Sequence, residues 1–186
     1  MLFKKNEVEN VKERIEIVLK EYKDRTLCFT GHRPQKLPWG FNEEDKRCLN
    51  IKKELYSIIE ESIKKGYKIF LSGMALGFDM ICAETILELK KKYKDIKLVA
   101  ALPCKNQDCK WNSVQQKRYR NLLKKADSIR CIYDDYIGPE CMLERNEYMV
   151  NASSKMIALF DGKPGGTKKT IDYAKSKGLD VVIIKA

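Results

Sequence analysis

The chain has 186 residues, of which 44% are apolar and 34% charged, and carries a formal net charge of +11. That length suits one domain with a sizeable core, and the balance excludes a disordered chain. The longest apolar runs, such as Val181–Ile184, are too short to cross a bilayer.

In chain order, residues 6–23 carry an apolar stripe (Val8, Val11, Ile15, Val18, Leu19, Tyr22) at helical spacing. The segment before it has no signal-like apolar core, so the chain is expected in the cytoplasm. Leu27–Thr30 reads as a strand. Glu43–Lys65 reads as a helix closed by Gly66. Lys68–Ser72, Lys97–Leu102 (ended by Pro103), Ser128–Tyr133, Lys155–Phe160 and Asp180–Ile184 read as further strands. Helices are expected over Phe78–Tyr93, Trp111–Ala126, Pro139–Asn151 and Gly166–Lys177.

Short strands that are apolar on both faces, alternating with helices, describe an α/β domain. Its expected form is a doubly wound, mainly parallel sheet of about six strands flanked by helices. The division expected is an N-terminal amphipathic helix over 1–25 and a ligand-binding domain over 26–186. The helix could pack on the sheet or serve a homo-oligomer contact. Ligands of such sheets sit beyond the carboxyl ends of the strands, which directs attention to the loops there.

After the first strand comes Thr30-Gly31-His32-Arg33-Pro34. Gly31 permits unusual backbone angles, Arg33 is a fixed fork of donors suited to phosphate, and His32 is the single histidine. After the second strand, Ser72-Gly73-Met74-Ala75-Leu76-Gly77-Phe78-Asp79 leads into a helix whose free N–H groups and dipole would favour an anion. Asp79 is suited either to the helix start or to a ribose hydroxyl. In the helix after the fourth strand, Asn146 lies on the apolar face with Met142 and Met149, beside Arg145; a polar group there must find partners. After the fifth strand, Gly165-Gly166-Thr167 opens another helix and forms a second anion cradle.

Seven cysteines fall at 28, 48, 82, 104, 109, 131 and 141. With no CxxC pair and one histidine, no metal site is expected, and buried free thiols are the reading. Cys104 and Cys109 flank a polar loop and form the one weak redox candidate. The basic excess allows phosphorylated ligands or nucleic acid. Most lysines, as in Lys52-Lys53, Lys64-Lys65 and Lys90-Lys91-Lys92, fit solvated helix faces.

Taken together, Thr30–Pro34 (TGHRP), Ser72–Asp79 (SGMALGFD), Ala101–Cys104 (ALPC), Arg145-Asn146 and Pro164–Thr167 (PGGT) resemble the YpsA-like branch of the SLOG superfamily. The resemblance runs from about Leu27 to the C-terminus. It implies a Rossmann-like fold whose glycine-rich loops hold nucleotide-derived ligands, of the NAD or ADP-ribose kind or nucleoside phosphates. The same superfamily includes the Lonely Guy phosphoribohydrolases and the DNA-processing protein DprA.

The hydrolase pattern has an arginine in a MxxRKxxM-like helix and a glutamate after PGGxGT. Here Met142–Met149 reads MLERNEYM, with Arg145 at the arginine position. Pro164–Asp172 reads PGGTKKTID, with Asp172 in place of the glutamate and Lys168 and Lys169 in place of Gly-Thr. The first expectation is therefore a sensing or binding domain for a nucleotide-like small molecule, with no cofactor assigned. Its ligand residues would be Gly31, His32, Arg33, Ser72, Gly73, Gly77, Asp79, Arg145, Asn146, Gly165, Gly166 and Thr167. The alternatives are a nucleotide N-glycosidase using Arg145 with Asp79 or Asp172, and DprA-like binding of single-stranded DNA.

Overall fold

The computed structural model describes residues 22–186. The expected helix over residues 6–23, and with it the 1–25 segment, lies almost wholly outside the described residues. Six strands form a single sheet: β1 (Thr26–Gly31), β2 (Ile69–Ser72), β3 (Lys97–Cys104), β4 (Ser128–Tyr133), β5 (Lys155–Phe160) and β6 (Asp180–Lys185). Every pairing is parallel, and the spatial order is β4-β3-β2-β1-β5-β6. The helices are α1 (Lys46–Lys64), α2 (Phe78–Leu89), α3 (Ser113–Lys125), α4 (Glu140–Asn151) and α5 (Gly166–Ser176). This is the Rossmann-like α/β architecture that the alternation implied.

The chain moves outward from β1 through β2 and β3 to β4, so right-handed crossovers place α1, α2 and α3 on one face. That face is the larger core, where Leu55 and Ile59 of α1, Met80 and Ile86 of α2, and Tyr119 of α3 meet Phe29, Phe70 and Leu98. From edge strand β4 the chain returns by α4 to β5 and continues by α5 to β6. These two helices cover the other face with Met149, Val150, Ile171 and Ala174 against Cys28, Leu71 and Met156.

Local chemistry sets the ends. Helix α1 starts at Lys46 rather than Glu43 because Asp45 caps it, its carboxylate accepting from the Arg47 N–H at 2.8 Å. Helix α3 starts with a reciprocal capping box between Asn112 and Gln115. Two expectations are corrected. Strand β3 runs through Pro103 to Cys104, because the β2 ladder already stops at the Ser72–Ala100 pair and the proline need not donate on that side. The strands are not all buried on both faces: β4 and β6 are edges, and their apolar Ile129 and Ile183 are exposed.

Among the cysteines, 28, 48, 82, 104 and 141 are buried, Cys131 is half-buried and Cys109 is exposed; all are free thiols. Burial pushes the Cys28 thiol up to about 12. Burial, and Cys141 after it, push the Cys104 thiol up.

Candidate functional site

The strand order reverses between β1 and β5, and a cavity of 330 Å³ opens at their carboxyl ends. Gly31, His32 and Arg33 line it from the β1 loop, Arg145 and Asn146 from α4, and Gly166 and Thr167 from the start of α5. The return path of α4 across the sheet is what carries Arg145 beneath this cleft.

His32 is buried and tied on both sides. Its Nε2 lies 2.8 Å from Asp161 Oδ1, and its Nδ1 lies 3.4 Å from Thr167 Oγ1. With Nε2–H donating to the carboxylate, Nδ1 is left to accept from the threonine hydroxyl. The Lys163 N–H, 3.0 Å from Asp161 Oδ1, and His32 together hold the Asp161 carboxyl at about 2 against the upward push of burial. A threonine, histidine and aspartate therefore stand in a line that fixes the Thr167 hydroxyl at the helix start.

Arg145 is 5% exposed and forms no ion pair with any described residue. Its Nη1 donates to the carbonyls of Gly73 and, at 3.3 Å, Ala101; its Nε donates to Asn146 Oδ1 at 2.8 Å. Asn146 in turn donates to Thr170 Oγ1 at 3.1 Å, which supplies the partners its place on an apolar face demanded. Arg145 Nη2 has no hydrogen bond among the described residues. Burial lowers the Arg145 pKa, Asp79 raises it and Arg33 lowers it again. The exposed Arg33 at the rim has no ion pair among the described residues either.

At α5 no side chain caps the helix, so the N–H groups of its first turn point outward unpaired. Gly166 has open space where a Cβ would stand, and the Lys36 Nζ hovers 3.3 Å from the corresponding position at Gly165. The start of α5, where the sequence reading expects a second cradle, thus presents uncapped N–H groups beside Lys36.

The loop before α2 is tied more closely to its own residues. The Met74 N–H donates to Ser72 Oγ at 3.2 Å and the Ala75 N–H to Asp79 Oδ2 at 3.3 Å, while Ser72 Oγ donates to the Asp79 carbonyl. The Met74 and Ala75 donors face inward, no side chain caps the start of α2, and Met74 takes a left-handed φ of 56° to make the turn. Ser72, Gly73 and Asp79 form the floor under the cleft, and Ala75 is the residue of the loop that lines it. Burial raises the Asp79 carboxyl, with Arg145, the Ala75 N–H and Arg33 opposing. Gly77 packs under the Pro34 ring, 2.9 Å from where its Cβ would be.

Asp172 does not reach the cleft. It stands on the exposed side of α5, paired with Lys168 at 2.5 Å one turn away. Sequence reasoning missed Asp161, Lys36 and Gln107. The Gln107 amide donates to the Met74 carbonyl at 3.0 Å and braces the β2 loop. Asp161 was the findable one: a buried histidine needs a partner, and the loop after β5 offers an aspartate.

Comparison with known proteins agrees with the fold. The profile of the YspA SLOG family matches residues 27–182. The SPbeta prophage-derived protein YoqJ of Bacillus subtilis is 37% identical over 139 residues, 68% of this chain and 81% of that protein. A UPF0398 protein of Brevibacillus brevis is 33% identical over 161 residues, 84% of this chain and 83% of that protein. Among solved structures, DNA processing protein A from Helicobacter pylori, described for its single-stranded DNA binding mode, superposes with a TM-score of 0.60 at 18% identity. The match covers 88% of this chain and 67% of that one. The Streptococcus pneumoniae counterpart gives 0.58 at 15% identity, and this chain covers 52% of its length.

Proposed function

The chain belongs to the YspA SLOG family, and from that premise we propose that it binds a nucleotide-derived, phosphate-bearing small molecule in the cleft between the ends of β1 and β5. NAD- or ADP-ribose-like molecules and nucleoside phosphates are the class. Arg145 carries this reading. It is a buried guanidinium with no carboxylate in ion-pair range among the described residues, and its Nη2 is unpartnered at the cleft wall. A buried charge without a partner is costly, and an anionic ligand would supply one. Arg33, Lys36 and the uncapped first turn of α5 add donors of the same sign around the same opening.

A binding role fits the carboxylates better than a glycosidase does. Asp79 is held in the floor by the Ala75 N–H, and Asp172 is turned to solvent, so neither stands ready to activate water beside Arg145. The experiment is a thermal-shift screen with NAD, ADP-ribose, cyclic ADP-ribose, AMP and a single-stranded oligonucleotide, with chromatography of each mixture. A raised melting temperature with the nucleotide recovered intact supports binding. Release of free base and ribose 5-phosphate would make the protein an N-glycosidase. A response to the oligonucleotide alone, falling steeply with salt, would replace the small molecule by DNA.

A further inference from the structure

Resting on the reading of the cleft as a phosphate site, we propose that a second cavity, on the far side of the cleft wall, receives the ligand's nucleobase. This cavity measures 450 Å³. The two openings share their partition: Arg33 and Ala75 face the cleft, and their chain neighbours Pro34 and Leu76 face the second cavity. In this assignment the ligand reaches over that partition, with its phosphate on one side and its base on the other.

The lining selects a neutral ring. Trp39 is buried and forms a fixed wall, while Phe41 is 57% exposed and stands at the mouth with a free ring. Leu76 and Ile81 complete an apolar interior. Arg118 borders the cavity with its charge already matched. It makes a two-pronged contact to Glu84 at 2.7 Å for both bonds, and another to Glu43 at 2.6 and 3.1 Å. Lys52 adds a second cation to Glu43 at 3.0 Å. No uncompensated cation is left to attract a phosphate here, in contrast to Arg33 and Lys36 next door.

The polar groups at the rim are donors. In the capping box the side-chain oxygens of Asn112 and Gln115 accept backbone N–H groups at 2.9 and 3.2 Å. Their amide nitrogens have no partner among the described residues. A planar heterocycle with acceptor atoms on its edge matches both features: its face stacks on Phe41, and its ring nitrogens or carbonyls accept from the two amides.

AMP and ribose 5-phosphate differ only by the base, so titration calorimetry with both, on the full chain and its Phe41→Ala variant, tests the assignment. The expected result is that AMP binds at least about tenfold tighter than ribose 5-phosphate. Phe41→Ala should remove about tenfold of AMP affinity, the scale of one lost stacking contact, and leave ribose 5-phosphate unchanged. Phe41→Trp should restore AMP binding. Equal affinities for the two probes, or a Phe41→Ala effect that is absent or the same for both, would overturn the base pocket while leaving the phosphate cleft in place. Failure of both probes to bind the unaltered protein would overturn the cleft reading and the base pocket with it.

Discussion

His32 Nε2 lies 2.8 Å from Asp161 Oδ1 and so joins the loop after β1 to the loop after β5 across the point where the strand order reverses. The same ring reaches Thr167 at the head of α5. His32→Ala is expected to leave the sheet intact but to release the Thr167 hydroxyl, lowering ligand affinity more than melting temperature. Affinity unchanged in a folded His32→Ala protein would remove the histidine from the site.

Acid should act on this link late. The Asp161 carboxyl titrates at about 2 in the fold, against about 3.9 in an unfolded chain. Its contribution to stability is therefore complete above about pH 4 and disappears as pH falls through about 2. A carbon NMR titration of the Asp161 carboxyl checks this; a midpoint near 4 would contradict the bonding described, and His32→Gln should move the midpoint upward.

Two glycines should behave differently. At Gly166 a side chain meets nothing within 4 Å, so Gly166→Val should fold normally and fill the cleft, abolishing binding. At Gly73 a Cβ would stand 2.1 Å from Arg145 Nη1 and 2.6 Å from Asp79 Oδ2. Gly73→Ala should therefore cost about 1–3 kcal/mol of stability through overpacking, read by thermal or denaturant unfolding. Equal stability of the two variants would contradict the packing around Arg145.

Arg145→Ala should weaken binding of a phosphate-bearing nucleotide at least about tenfold, since hydrogen bonds to charged groups contribute about 1.5–3 kcal/mol. Asp172→Asn is the control. Its exposed pairing with Lys168, one turn apart, is of a kind worth about 0.3–0.5 kcal/mol, so stability and binding should both stay essentially unchanged. A large loss of activity or binding in Asp172→Asn would return it to the site.

The alternation of strands and helices, and hence the α/β class, was legible from residue pattern because each buried strand is a short apolar run and each helix keeps its stripe. Strand order was not, since nothing in Lys155–Phe160 says that it pairs with β1. Edge status had a faint signal: Ser128-Ile129-Arg130 already alternates polar and apolar. At the site, the Gly-Gly-Thr run marks the start of α5 in the sequence itself. At position 73 a glycine shows that a side chain is missing, not which neighbour occupies the space. That neighbour is Arg145, 72 positions along the chain.

The most direct measurement of the central claim is an amide NMR titration of the protein with ADP-ribose, following the backbone resonances of Gly166 and Thr167 and the Arg145 Nε–H. Saturable shifts concentrated on these groups are the expected result. Resonances that stay fixed there while binding saturates by another readout would place the ligand elsewhere and contradict the account.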